Sequence, residues 1–90
     1  MFRVMIYGAG GHGRVVLDAC RAAGLDVVGF LDGDPYKHGL VIDGLSVLGG
    51  MDLITSDAGV VVAIGDNDAR AGVCDYVRRK SWLVTVVHPS

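Results

Sequence analysis

The sequence predicts a small α/β fold, a Rossmann-like parallel sheet with flanking helices and a short β-hairpin. Runs of apolar and β-branched residues alternate along the chain with segments of helical period, which is the order that builds a parallel sheet covered by helices. A glycine-rich turn follows the first apolar run, at a strand-to-helix junction. Because crossovers between parallel strands are right-handed, we expect one Rossmann-like domain over residues 1–90.

The first half of the chain supplies a strand, a helix and a second strand. Phe2–Tyr7 is apolar and ends at a glycine, as a buried parallel strand does. Apolar positions recur every three to four residues over Gly11–Ala23, which predicts an amphipathic helix that ends at Gly24. Asp26–Asp32 returns to strand composition, and residues 33–39, with a proline and two glycines, predict a turn.

The second half begins with a hairpin signal. Asp43 and Gly44 lie between two short apolar runs, and Asp-Gly in that setting is typical of a tight two-residue turn. Residues 51–57 predict a short helix, and Gly59–Gly65 predicts a buried strand. The remaining elements that we expect are a helix beginning near Asn67 or Asp68 and a last strand over Leu83–His88.

Composition and charge exclude several classes of function. The formal net charge is −2, and the basic run Arg78–Lys80 complements the end of a predicted helix, so we expect no nucleic-acid partner. Neither Cys20 nor Cys74 has the spacing of a metal site, and we expect no bound metal. The first apolar run is too short for a signal peptide or a membrane span. We therefore expect a cytoplasmic chain without membrane insertion.

The glycine turn has the pattern G-x-G-x-x-G at Gly8, Gly10 and Gly13. In this pattern the first glycine permits the turn, the second lets a ligand approach the backbone, and the third lets helix and strand pack closely. Free N–H groups at the start of the helix then attract an anion without a basic side chain. Arg14 and Val15 follow where a P-loop needs Lys and Ser or Thr, so the turn is not a Walker A motif.

Two further segments are expected at the same edge of the sheet, because ligands of open parallel sheets bind beyond the carboxyl ends of the strands. Asp32 ends the second predicted strand, where an acid can accept hydrogen bonds from a nucleoside, and Asp34 is a second candidate. Both could instead cap the turn before the proline. After the third strand, Gly65 and Asn67 are candidate ligand contacts, although Asp66 and Asn67 could equally cap the next helix.

His12 is unusual, because small residues are the rule inside a dinucleotide-binding turn. A histidine in the first turn of the helix projects toward whatever the glycines hold, and its ring nitrogens can accept or donate a hydrogen bond near neutral pH. We therefore regard His12 as a candidate contact to the polar or reacting part of a ligand whose phosphate lies on the turn. The alternative is a solvated side chain without a role.

Five stretches in this order make the chain similar to a known family. They are "YGAGGHGRVVLDACRAAG", "VVGFLDGDP", "GLSVLG", "VVAIGDN" and "TVVHPS". They are distributed along the sequence from Tyr7 to Ser90 and resemble the N-terminal domain of bacterial sugar O- and N-acyltransferases, the group of sialic acid O-acetyltransferases and UDP-4-amino-sugar acetyltransferases.

The resemblance implies a domain that binds a nucleotide sugar, such as a UDP-sugar, in an enzyme that transfers acetyl from acetyl-CoA to a sugar amine or hydroxyl. It assigns the phosphates to the turn, the nucleoside to the acid after the second strand, and a further contact to the end of the third strand. The site residues so implied are Gly10, Gly11, His12 and Gly13, then Asp32 or Asp34, then Gly65 and Asn67, to which the glycine pattern itself adds Gly8.

The family's second domain is a left-handed β-helix of hexapeptide repeats, which forms trimers, binds acetyl-CoA and supplies the catalytic histidine. It follows a sequence like His88–Ser90, at which this sequence ends. The resemblance therefore predicts a chain that lacks that domain, binds no cofactor itself, is inactive alone and is a monomer or weak dimer. Acetyl-CoA would be the co-substrate of full-length family members only.

Two other classes of function remain open from the residues. The glycine pattern with Asp32 also fits a nicotinamide-dinucleotide-binding fragment of an oxidoreductase, although a complete site of that kind uses two mononucleotide halves. A module for regulation or protein interaction that has kept the fold is the second alternative, since fold alone does not establish function.

Overall fold

The computed structural model describes residues 2–86, which form one sheet with two α-helices. In chain order the elements are β1 (Arg3–Tyr7), α1 (Gly11–Ala22), β2 (Asp26–Leu31), β3 (Val41–Ile42), β4 (Leu45–Gly49), β5 (Ala58–Val62) and α2 (Asn67–Lys80). Single 3-10 turns over Pro35–Lys37 and Met51–Leu53 occupy two of the connections.

The sheet has the strand order β3-β4-β2-β1-β5 and is parallel except at one edge. β1 lies in the middle and pairs in parallel with β2 and with β5, and β2 pairs in parallel with β4. The short β3 is antiparallel to β4. The α/β prediction is confirmed, because the carboxyl ends of β1, β2, β4 and β5 meet at one edge of the sheet.

Each helix covers one face of the sheet with its apolar side. The buried side chains on the α1 face are Val4, Ile6, Ala9, Leu17, Cys20, Phe30, Val47, Val61 and Ala63. Those on the α2 face are Met5, Tyr7, Leu31, Ile54, Ala58, Val60, Val62, Val73 and Val77. β1 and β5 contribute to both sets, since neighbouring residues of a strand point to opposite faces. Both faces of the sheet are therefore packed against a helix, and the ends of the strands stay free for the loops that form the site.

The predicted Asp-Gly hairpin joins β3 to β4. Asp43 and Gly44 have φ values of 51° and 82°, the left-handed conformation that such a turn requires. The Asp43 carboxylate accepts two hydrogen bonds from the Arg14 guanidinium, at 3.0 and 3.2 Å, and its carbonyl oxygen accepts one from Arg21 at 2.9 Å. The hairpin turn is thereby attached to α1.

Two predicted segments differ from those observed. The strand predicted over Gly59–Gly65 is Ala58–Val62, and the helix predicted over 51–57 is a single 3-10 turn, Met51–Leu53. A three-residue turn is all that the second segment needs, because it only carries the chain from β4 toward β5 across the sheet.

The last predicted strand, Leu83–His88, is present within the described residues only as a bridge between Leu83 and Val60. The carbonyl oxygen of Val60 accepts a hydrogen bond from the Val84 N–H at 2.8 Å. Two residues further along β5, where a longer ladder would form its next bond, the Val62 carbonyl accepts a hydrogen bond from the Arg70 side chain at 3.1 Å. The part of the prediction over 87–90 lies outside the described residues.

Candidate functional site

The glycine turn leaves the sheet between β2 and β5. The N–H of Gly8 donates to the Leu31 carbonyl at 2.7 Å, and the Tyr7 carbonyl accepts from the Ala63 N–H at 2.7 Å. Each bond extends one ladder of β1 by a residue, since Gly8 follows β1 and Ala63 follows β5. The turn is therefore fixed to its two neighbouring strands before α1 begins.

The glycines of the turn differ in the space around them. A Cβ at Gly13 would overlap the Gly8 carbonyl oxygen, and one at Gly8, where φ is +116°, would overlap the Ala63 carbonyl oxygen. At Gly10 and Gly11 nothing lies within 4 Å of the position of an added Cβ. The first and third glycines of the motif thus serve close packing, whereas the middle of the turn is open on its outer side.

The amino end of α1 faces this open side without a side-chain cap. Its N-cap is Gly10, which offers no side-chain acceptor to the first N–H groups, and the first turn holds no acidic residue. Arg14, the nearest basic residue along the chain, is turned away to Asp43. The positive potential of the turn therefore comes from backbone N–H groups and the helix dipole.

Asp32 joins the second strand to the glycine turn. One carboxylate oxygen, Oδ2, accepts a hydrogen bond from the Ala9 N–H at 2.8 Å, and Oδ1 accepts one from the Asp34 N–H at 2.9 Å. The Lys37 ammonium lies 3.7 Å from Oδ2. Burial would raise the pKa of Asp32, but the two backbone hydrogen bonds and the ammonium outweigh it and hold the pKa below its usual value.

The loop after β2 is ordered by further contacts of this kind. Asp34 accepts a hydrogen bond from the Tyr36 N–H at 3.0 Å, so it caps the 3-10 turn as the alternative in the sequence analysis expects. The His38 Nε2 lies 2.7 Å from the Asp32 carbonyl oxygen, to which it donates. Asp32 thus contacts the loop through both its side chain and its backbone.

These contacts predict how acid acts on stability. The folded pKa of Asp32 lies below the unfolded one, so its stabilisation is complete above pH about 4 and is lost as pH falls through the folded pKa. Asp32→Asn should therefore lower the free energy of unfolding at pH 7 by about 1–3 kcal/mol, because an amide cannot accept both backbone hydrogen bonds. Urea unfolding at several pH values measures this, and the difference from wild type should shrink below pH 4. A constant difference down to pH 2 would contradict the account.

The third segment lies at the carboxyl end of β5. Asp66 accepts a hydrogen bond from the Ala69 N–H at 2.9 Å and is the N-cap of α2, so of the two open roles for Asp66 the structure shows the cap. Gly65 has nothing within 4 Å of an added Cβ, and Asn67 is an exposed first residue of the helix. Both are accessible to a ligand at this edge.

His12 is exposed at the second position of α1 and lines a cavity of about 490 Å³. The cavity lies between α1, the edge of β5, α2 and residues 83–86, with Val16, Val61 and Arg70 among its walls. The imidazole of His12 and the guanidinium groups of Arg70 and Arg78 thus share the cavity with a largely aliphatic lining. Asp32 and Asp34 lie on the other side of the glycine turn, beyond β1 on the β2 side.

Three contributors to the site are missed by the sequence analysis. The first is the Ala9 N–H, which donates a hydrogen bond to the Asp32 carboxylate. The others are the Lys37 ammonium beside Asp32 and the Arg70 side chain, which donates to the last carbonyl of β5. For Lys37 a signal exists, since a cation five residues after an acid across a tight turn can fold back on it. The other two follow from tertiary packing and have no local pattern.

Two negative results concern the described part of the chain. Among residues 2–86 there is no group of three or more His, Cys or Asp side chains placed to hold a metal ion. Within the same residues neither helix has the length and apolar character needed to cross a membrane.

Comparison with known proteins gives one family and several structures. The model of the PglD N-terminal domain matches residues 3–77. A mutant of perosamine N-acetyltransferase from Caulobacter crescentus, solved with CoA and GDP-perosamine, is 31% identical over 100% of the chain, with a TM-score of 0.81. The acetyltransferase domain of PglB from Neisseria gonorrhoeae is 25% identical over 99% of the chain, with a TM-score of 0.80. No curated protein matches.

The chain spans less than half of these acetyltransferase structures, 44% of the first and 45% of the second. RSP, a protein solved in complex with beta-NADH, is 20% identical over 88% of the chain, with a TM-score of 0.68. At that identity the likeness shows a shared fold alone.

Proposed function

The chain belongs to the PglD N-terminal domain family, and from that premise we propose that it is the nucleotide-sugar-binding part of a sugar acetyltransferase. The observation that carries the proposal is the open outer side of the glycine turn at Gly10 and Gly11, next to an uncapped helix start. Perosamine N-acetyltransferase, which is similar to the chain over all 90 of the chain's residues, is solved with GDP-perosamine and CoA.

In this proposal the diphosphate lies on the turn. Backbone N–H groups of Gly11, His12 and Gly13 donate to its oxygens, and the missing side chain at Gly10 lets it approach. The nucleoside extends toward the loop after β2, where Asp32 is held in place and Asp34 is exposed. An ionised carboxylate is a suitable acceptor for ribose hydroxyls or for an N–H of the base.

The sugar extends in the opposite direction, toward His12 and the cavity at the edge of β5. Acetyl transfer forms an amide or ester bond to the sugar and breaks the thioester of acetyl-CoA, and the acceptor must lose a proton to a base. The contribution of this chain is to hold the acceptor in one orientation, which can lower the barrier by several kcal/mol. Acetyl-CoA and the base would come from the rest of a longer enzyme or from a separate chain.

Calorimetric titration of the chain tests the proposal. UDP- and GDP-linked amino sugars, CMP-sialic acid, NAD and acetyl-CoA are titrated separately into the same preparation. We expect binding of a nucleotide sugar only, and weak binding, because the site is open on its outer side. Binding of NAD without binding of any nucleotide sugar would overturn the proposal in favour of a dinucleotide-binding fragment.

His12→Ala tests the direction of the sugar. The variant should bind the nucleotide sugar about five- to tenfold more weakly, because one hydrogen bond contributes about 1 kcal/mol. Its affinity for the corresponding nucleoside diphosphate should not change, since the phosphates use the backbone. Equal affinity of variant and wild type for the sugar nucleotide would remove His12 from the site.

A further inference from the structure

We propose that Lys37 binds the diphosphate of the ligand, an inference that rests on the proposed function and names a residue that the sequence analysis does not assign. Lys37 ends the 3-10 turn after β2 and is the basic side chain that the structure links to the glycine turn through a shared oxygen atom. That atom is Oδ2 of Asp32, which accepts a hydrogen bond from the Ala9 N–H and lies 3.7 Å from the Lys37 ammonium.

The position of Lys37 is fixed by the chain around it. Its backbone N–H donates to the Asp34 carbonyl at 3.0 Å, and the preceding N–H is capped by the Asp34 side chain. The side chain is 37% exposed, so the ammonium is held near Asp32 and is still open to a ligand. A lysine on a hydrogen-bonded turn loses less conformational entropy on binding than one on a mobile loop.

The contact of Lys37 with Asp32 leaves its donors available. At 3.7 Å the nitrogen and Oδ2 form an ion pair, but the distance is longer than a hydrogen bond. Asp32 has a backbone N–H on each of its oxygens and stays hydrogen-bonded if the ammonium moves. Lys37 can therefore turn one or more of its three N–H groups to a phosphate at small cost.

Electrostatics gives the reason why a cation is needed here. Asp32 is ionised and bound to the glycine turn, so a diphosphate on that turn would bring its own negative charges close to a carboxylate. The two arginines of α1 do not relieve this repulsion, because both Arg14 and Arg21 are bound to Asp43 at the hairpin. Lys37 faces the Asp32 carboxylate and would offset part of the combined negative charge.

The test compares Lys37→Met with Lys80→Met, which removes the other lysine of the chain, at the far end of α2. The probes are GDP and UDP with their parent nucleosides, titrated by calorimetry at 50 and 300 mM NaCl. We expect Lys37→Met to weaken binding of the preferred diphosphate at least tenfold at low salt and to reduce its salt dependence. Lys37→Arg should retain most of the affinity, and Lys80→Met should behave as wild type.

The outcomes separate this inference from the proposed function. If wild type binds a nucleoside diphosphate and Lys37→Met binds it equally well, the role of Lys37 is wrong and the proposed function is unaffected. An equal loss for diphosphate and nucleoside also overturns it, since Lys37 would then only hold the loop. If wild type binds no nucleoside diphosphate and no nucleotide sugar, CMP-sialic acid included, the proposed function itself fails.

Discussion

Gly13→Ala should lower the melting temperature of the chain by more than about 10 °C. The new Cβ would overlap the Gly8 carbonyl oxygen, which is held by the sheet, and would also press on the Phe30 ring at 3.3 Å. Since the obstacle is backbone, relief requires α1 to move away from the sheet, and overpacked sites of this kind cost up to about 3 kcal/mol. For a domain of this size, 1 kcal/mol corresponds to about 4–8 °C.

Gly72→Ala is the matched control for Gly13→Ala. It introduces the same methyl group in the exposed middle of α2, where nothing lies within 4 Å. Alanine is the better helix former, so this variant should be more stable than wild type by about 0.5–1 kcal/mol. Both are measured by thermal unfolding followed by circular dichroism. A Gly13→Ala variant as stable as wild type would show that helix and turn do not pack as described.

Gly10→Ala should separate binding from folding. The backbone at Gly10 has φ −90° and ψ −163°, an extended conformation that alanine adopts, and the added Cβ meets no atom of the chain. The methyl group instead occupies the side from which we expect the diphosphate to approach. Loss of one or two charge-assisted hydrogen bonds, about 1.5–3 kcal/mol each, predicts a decrease in nucleotide-sugar affinity of at least tenfold.

Thermal unfolding and calorimetric titration of the same preparation check this prediction. The melting temperature of Gly10→Ala should stay within a few degrees of wild type, since replacing glycine by alanine at an N-cap costs less than about 1 kcal/mol. Gly72→Ala again serves as the control and should bind as wild type does. Undiminished affinity in Gly10→Ala would place the phosphates away from the turn.

Local sequence patterns were sufficient for much of the fold. The strand-turn-helix around Gly8 and Gly13 and the Asp43–Gly44 hairpin depend on the backbone freedom of particular residues, which is visible in the sequence. The apolar runs placed β1, β2 and β5 to within a few residues. The family resemblance, based on five ordered stretches, is confirmed by the match over residues 3–77.

Contacts between distant residues could not be predicted in this way. The Asp32 carboxylate binds the Ala9 N–H 23 positions earlier, and Arg14 binds Asp43 29 positions later. Neither choice is determined by local spacing, because each depends on where α1 and the hairpin pack. The same holds for Arg70, whose contact with the Val62 carbonyl eight positions earlier depends on how α2 packs beside β5.

These contacts change the roles that we expect for Asp32 and Asp34 in the site. The sequence predicts Asp32 as a nucleoside contact, yet two of its acceptor positions are taken by backbone N–H groups of the chain itself. A carboxylate has about four acceptor positions, so Asp32 can still accept from a ligand, but its hydrogen bonds also build the turn. Asp34, which is exposed and lies two residues after Asp32, stays a second candidate for contact with the nucleoside.

The most direct test of the central claim is a titration of the isotope-labelled chain with a GDP- or UDP-linked amino sugar, followed by amide resonances. We predict that the largest and saturable shifts occur at Gly10, Gly11 and His12, with smaller ones at Ala9 and Lys37. Acetyl-CoA should leave these resonances in place. Saturable binding of the nucleotide sugar with the resonances of the glycine turn unchanged would contradict the account.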